Sequence, residues 1–491
     1  MHDGGSFTDR SALPDGEGSS NRVVLIASVA ALGGLLFGFD SAVINGAVSA
    51  IQDEFDVADA VLGFAVASAL LGAAAGAMTA GRIADRIGRL KVMKIAAVLF
   101  FLSAIVTAFA PDVWTLVLGR IIGGIGVGVA SVIAPAYIAE TSPARIRGRL
   151  GSLQQLAIVL GIFLALLVDY VLAELAGGAS ETLWFGLEAW RWMFLSMAIP
   201  AVVYGVLAST IPESPRYLVA THKIPEARRV LSMLFGEKNL EITINRIEHS
   251  LQSDTKPSWK DLRRPGGGLY PIVWVGLMLS VFQQAVGINV IFYYSNVLWE
   301  AVGFEESQSF QISVFTSVVN IATTIVAIML IDKVGRRPLL LTGSIGMTVT
   351  LATMAICFGA ADQVPNAEGV LEPHLSGAWG PIALVAANLF VVFFGMSWGP
   401  VVWVLLGEMF PNRIRGAALS LAAAGQWAAN WAITVSFPSL KTFSLGFAYG
   451  MYAVFALLSL AFVAKFVPET KGMSLEDMDE AAGYEHPTAK A

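Results

Sequence analysis

The chain has 491 residues, 56% hydrophobic and only 14% charged, with a mean hydropathy of +0.68. Soluble domains carry about 25% charged residues, so a soluble globular protein is excluded. A net charge of −6 and a single cysteine, Cys357, give no basis for a nucleic-acid surface, a disulfide framework or a cysteine metal site. Residues 1–22 are polar and acidic, lack the shape of a cleavable leader, and are expected to form a cytoplasmic tail. Twelve stretches almost free of charge follow, near 23–45, 60–81, 93–111, 113–137, 150–170, 190–211, 271–298, 309–331, 338–360, 380–407, 416–438 and 446–467. Each approaches or exceeds the roughly 20 residues that a hydrocarbon core of about 30 Å requires.

The first six spans are expected to form one bundle (23–211) and the last six another (271–467), joined by a hydrophilic segment, 212–270. Within that segment Pro225–Phe235 and Asn239–Gln252 have helical periodicity and read as short cytoplasmic helices. Residues 362–376 read as a longer outward loop and 468–491 as a second cytoplasmic tail. All but three of the 31 Lys and Arg lie in the termini and the even-numbered connections. The exceptions are Arg191 and Lys441 on the other side and Arg120 inside span 4. The positive-inside rule then places both termini in the cytoplasm of a multi-pass cell-membrane protein. The run Gly123-Gly-Ile-Gly126-Val-Gly128 lies in the middle of span 4 with no Gly-Lys-Ser/Thr after it, so it reads as a helix-packing surface rather than a nucleotide loop.

Charged turns recur at matching places in the two bundles. Glu140, Arg145 and Arg147 share the pattern E-x-x-P-x-R-I-R-G with Glu408, Arg413 and Arg415. Asp85 and Arg89 follow span 2, as Asp332, Arg336 and Arg337 follow span 8. Cations alone would set topology, but the repeated acid–base spacing calls for salt bridges between helices, and the chain reads as a duplicated membrane unit.

With these turns in view, the chain resembles the sugar porters of the major facilitator superfamily. The resemblance rests on Gly81-Arg-Ile-Ala-Asp85-Arg-Ile-Gly88-Arg89, Pro135-Ala-Tyr137-Ile-Ala-Glu140, Pro212-Glu213-Ser-Pro215-Arg216, Gln283-Gln284-Ala-Val-Gly287-Ile-Asn289, Asp332-Lys-Val-Gly335-Arg336-Arg337 and Pro468-Glu469-Thr-Lys471-Gly472. It covers about residues 33–473 and is strongest to bacterial proton–sugar symporters. It implies an all-α membrane fold of twelve helices in two six-helix halves, each built from inverted three-helix repeats, with substrate near the midplane. It also implies that the charged turns, with Glu213, Arg216 and Glu469, close the cytoplasmic side in the outward-facing state. Glu408→Gln is then expected to shift the population inward-open.

Asp40 in span 1 and Arg120 in span 4 are charges at membrane depth, which tend to pair and to mark ion pathways. A static structural pair is the plain alternative. The resemblance implies a proton site, because symporters carry an acid at the Asp40 position where facilitative glucose transporters carry Asn. A proton driven by about 100 mV contributes about 2.3 kcal/mol, or roughly 50-fold accumulation.

A monosaccharide needs amides that both donate and accept, plus an aromatic platform. The resemblance carries the sugar contacts onto Gln155, Gln283, Gln284, Asn289, Asn320, Trp403 and Gln426, with Phe37, Tyr293 and Trp427 nearby. Gln283 and Gln284 are adjacent and cannot share one helix face unless the helix unwinds, which Gly287 would help. Ile162 stands where xylose-transporting members have a second Gln, which tilts the reading towards glucose or another hexose. The expected function is proton-coupled import of a monosaccharide by alternating access, in a protein that works as a monomer. A proton-independent uniporter and a non-transporting sugar receptor are the alternatives. The five histidines all lie outside the spans, so no catalytic constellation, cofactor or metal site is expected.

Overall fold

The computed structural model describes residues 20–142, 144–236, 240–253, 259–264, 266–365, 369, 371–411 and 414–471. Side chains at 20, 144–149, 151, 250, 252, 253, 259, 332, 415 and 416 lie outside the description. In lipid a backbone must satisfy its own hydrogen bonds, and the long apolar runs do so as helices.

In the first half α1 (Ser20–Ala42), a 3-10 turn (Val43–Ala47) and α2 (Val48–Phe55) make one continuous crossing. Then come α3 (Asp59–Ile87), α4 (Arg89–Ala108), α5 (Val113–Thr141), α6 (Ala144–Ala176), and α7 (Ala189–Ser196) with α8 (Ala198–Ala208). The linker holds α9 (Pro215–Ala220), α10 (Ile224–Phe235) and α11 (Leu240–Ser253). The second half comprises α12 (Pro271–Ala285) with α13 (Ile288–Glu300), α14 (Glu306–Val334), α15 (Arg336–Gly359), α16 (Trp379–Gly395) with α17 (Trp398–Met409), α18 (Arg415–Phe443) and α19 (Leu445–Phe466).

The fold is an all-helical membrane bundle of twelve crossings. Eleven crossings are long and apolar enough by length and composition among the described residues; α18, which carries Gln426 and Asn430, is the more polar twelfth. The Gly run of span 4 packs α5 directly on α3. A Cβ at Gly124 or Gly128 would strike the carbonyl of Ala69 or Ala73, so the backbones meet without side chains between them. The structure adds two features that periodicity does not reveal. A short helix, α9, precedes the two expected linker helices, and the 362–376 loop contains a hairpin, β1 (Asp362–Pro365) with β2 (Leu371–His374).

The linker defines one end of the molecule, since α9 packs on α5 and Tyr217 Oη donates to Arg86 O at 3.3 Å. At the opposite, far end the two halves meet. α3 of the first half packs against α18 of the second, start to end (Asp59 with Thr442), and α6 against α14, end to start (Glu174 with Ser307).

Candidate functional site

Asp40 and Arg120 are both buried, at 1% and 2% exposure, and lie side by side on α1 and α5. Arg120 Nη1 donates to the Asp40 carbonyl oxygen at 2.8 Å and stands 3.6 Å from Asp40 Oδ1. Among the described residues neither carboxyl oxygen accepts a hydrogen bond. The guanidinium is therefore anchored on backbone and attracts the carboxyl by charge alone. A proton can occupy the carboxyl without a bidentate pair being broken first.

The amides gather on the second half. Gln283 Nε2 donates to the carbonyls of Trp398 (2.9 Å) and Gly399 (3.1 Å), and its Oε1 accepts from Gln426 Nε2 at 2.7 Å. Gln284 Oε1 accepts from Asn289 Nδ2. The two adjacent glutamines do point to different partners, but the helix does not unwind at them. Both sit in the last turn of α12, and the break comes just after, at Val286 and Gly287, whose φ is +82°. Tyr293 is buried on α13 beside Asn430 of α18.

The remaining expected contacts are not joined to this network by hydrogen bonds among the described residues. Gln155 is exposed on α6, Trp403 is 47% exposed on α17, and Phe37, Asn320 and Trp427 are half-buried. Its neighbour Gln154 is buried with both amide atoms unpartnered.

At the linker end the two halves build the same clasp almost atom for atom. In the first, Arg89 Nε and Nη2 grip Glu140 at 3.0 and 2.8 Å while Nη1 donates to Ala84 O at 3.1 Å. In the second, Arg336 Nε and Nη2 grip Glu408 at 3.0 and 2.6 Å while Nη1 donates to Ile331 O at 3.1 Å. Glu213 accepts from the N–H groups of Arg89 (3.0 Å) and Leu90 (3.3 Å), and Glu469 from those of Arg336 (3.1 Å) and Arg337 (3.0 Å).

These are the first, otherwise unsatisfied donors of α4 and α15, where a negative charge is favoured. Ser214 Oγ donates to Glu140, as Thr470 Oγ1 does to Glu408 at 2.6 Å. Gly88 (φ +98°) and Gly335 (φ +102°) make the reversals that bring each helix start under its carboxylate. Burial works against the Glu469 charge, but the N–H groups of Lys471, Arg336, Arg337 and Thr470 outweigh it and hold the carboxyl below its usual range.

Among the described residues, these pairs lie inside each half and none crosses between the halves. Asp85 joins Arg89 at 3.0 Å from an exposed position. Arg337 Nη2 donates to Ala464 O at 2.7 Å, and Arg216 is engaged as well. Arg413 and the side chains of Arg145, Arg147, Asp332 and Arg415 lie outside the described residues.

The cross-half contacts sit at the far end, which sequence reasoning did not single out. Asn45, buried in the 3-10 turn, donates to Ser295 Oγ at 2.8 Å and accepts from the Asn296 N–H at 3.1 Å. Ser49 Oγ donates to Glu300 at 3.3 Å, Ala179 N–H to Glu306 at 2.7 Å, and Thr442 Oγ1 to Asp59 at 2.5 Å. Ser307 donates to Glu174, and Gln311 Nε2 to Tyr170 Oη at 3.3 Å.

Comparison with known proteins agrees with this architecture. The family model for "Sugar (and other) transporter" matches residues 26–482. A "Glucose transport protein" of Synechocystis is 56% identical over 458 residues, covering 93% of this chain and 97% of the relative. The "D-xylose-proton symporter" of Escherichia coli K12 is 39% identical, covering 94% and 96%. Among solved structures, the inward-open conformation of the E. coli xylose transporter XylE superposes with a TM-score of 0.78 at 38% identity, covering 94% of this chain and 99% of that one.

Proposed function

The chain belongs to the sugar transporter family of the major facilitator superfamily, and from that premise we propose that it is a proton-coupled monosaccharide symporter of the cell membrane. The linker and both termini face the cytoplasm, and the protein works as a monomer by alternating access. The sugar is glucose or a related hexose, with xylose as a second substrate. The observation that carries the proton is the Asp40–Arg120 pair, buried and, among the described residues, free of hydrogen bonds on the carboxyl.

Asp40 and Arg120 have the coupling role. Gln283, Gln284, Asn289 and Gln426 form the sugar's polar ring, completed by Gln155, Asn320, Trp403, Phe37, Tyr293 and Trp427 as the halves close. The repeated clasps keep each half rigid, and in the outward-facing state the cytoplasmic arginines and acids meet across the halves as a gate. The glucose relative at 56% identity and Ile162 support the hexose, and the xylose–proton relative supports coupling.

The test is uptake of labelled glucose, galactose, xylose and inositol into proteoliposomes with and without an inward proton gradient. Wild type is expected to accumulate a hexose only with the gradient, and Asp40→Asn to equilibrate without accumulation. Equilibration by wild type regardless of the gradient would make the protein a uniporter; sugar binding with no flux would make it a receptor.

A further inference from the structure

The description of the site leaves one buried acid unused. Asp169 lies in α6 within the crossing Ser152–Ala176, is fully buried, and among the described residues has no cation against it. Its Oδ2 accepts from the Gly46 N–H at 3.1 Å, and its Oδ1 has no partner. A Cβ at position 46 would meet the Asp169 carboxyl at 2.6–2.7 Å, so only glycine lets the acid reach this backbone.

Gly46 belongs to the same 3-10 turn as Asn45, whose side chain closes the seam on Ser295 and Asn296. Asp169 thus holds the back of the turn whose front joins the halves.

The charged groups on the surrounding elements are engaged elsewhere. Asp40 faces Arg120, and Arg191 pairs with Glu188 at 2.8 Å and Glu54 at 3.7 Å. Glu174 accepts from Ser307, Glu306 from the Ala179 N–H and Glu300 from Ser49. Tyr293 pairs with Asn430, and Tyr294 donates to the Thr434 carbonyl. A carboxylate in such a place is strongly disfavoured, with one N–H donor and no counter-charge, whereas the neutral acid is tolerated.

We propose that Asp169 is a second proton-binding carboxyl of this protein, protonated while the far-end seam is closed and giving its proton to water when the Val43–Ala47 turn lifts away. Opening of the far end is then linked to the loss of one proton, separately from Asp40. The link to transport rests on the function proposed above; the protonation state does not.

The test uses the full chain with Asp40→Asn and Cys357→Ala, so that neither the other proton site nor the native thiol contributes. Infrared spectra at neutral pH are expected to contain a protonated-carboxyl band that Asp169→Asn removes; identical spectra would overturn the proposal. With Val48→Cys as a buried probe beside the turn, labelling should rise with pH by up to about tenfold per unit across the Asp169 titration beyond the rise from the probe thiol's own ionisation, which is all that Asp169→Asn should keep. The same pH profile in both would overturn the link to the seam. If Asp169→Asn does not fold, Asp169→Ser, also neutral, serves both readouts.

Discussion

The two ends of the molecule hold themselves together by different chemistry. At the linker end, bidentate arginine–glutamate pairs and helix-capping carboxylates tie helices within one half, and the arrangement is duplicated in the other. At the far end, hydroxyls, amides and backbone N–H groups reach across between the halves. Charge-assisted bidentate contacts are strong and geometrically exacting. Single hydrogen bonds exchange readily with water, at a net cost of about 0.5–1.5 kcal/mol between neutral groups and about 1.5–3 where a carboxylate accepts. The difference separates what must stay rigid from what must come apart.

The largest effect should come from breaking a clasp. Arg89→Ala leaves Glu140 half-enclosed without its guanidinium and should destabilise by about 2–3 kcal/mol, below the 3–5 of a fully buried pair because both partners touch solvent. Arg336→Ala should cost less, since Glu408 is 33% exposed against 14% for Glu140. Thermal melting of the two variants in detergent checks the order. Equal losses would mean that the duplication extends to energetics as well as geometry.

Next in size is the seam. Asn45→Ala removes two cross-half bonds and should shift the equilibrium towards far-end-open by about 1–2 kcal/mol, read as faster labelling of a thiol at the far end, with melting little changed. A loss of stability without a change in labelling would put Asn45 among the rigid contacts.

Glu469 sharpens the comparison through pH. Its carboxyl is held below the ordinary glutamate range, so its stabilisation is present at neutral pH and is lost only as pH falls through that lowered range. Wild type should therefore lose melting temperature more steeply than Glu469→Gln below about pH 4.5, and at neutral pH the variant should be weaker by about 1 kcal/mol. Smallest of all is Ser49→Ala, whose 3.3 Å bond to Glu300 should be worth under about 1 kcal/mol in the same labelling assay.

The rigid end was readable in the sequence, and the separable end was not. Glu140, Arg89, Glu408 and Arg336 stand out because duplicated charges interrupt apolar runs, but their pairing spans 51 and 72 positions and comes from the packing of separate helices. Glu213 and Glu469 were visible as motif members. That each caps a helix start more than 120 positions away depends on backbone geometry that spacing does not encode.

Asn45 and Ser295 are 250 positions apart and belong to no charged pattern, so only the packing of the halves brings them together. Asp169 sits near the end of span 5, where an acid reads as a membrane boundary. The structure buries it because the Val43–Ala47 turn packs onto its carboxyl at Gly46. Gly287 signalled a break in span 7, and the break is there, just after the glutamines rather than at them.

The central claim is that two rigid halves rock about the site between them. Spin-label distances test it most directly, in protein with Cys357→Ala. One pair crosses the seam at the far end (Asp53→Cys with Glu305→Cys), one crosses the halves at the linker end (Lys91→Cys with Lys333→Cys), and one stays within the first half (Asp53→Cys with Lys91→Cys). As sugar and pH shift the population, the two crossing distances should change in opposite directions while the third stays fixed. A change in the within-half distance, or both crossing distances moving together, would contradict the account.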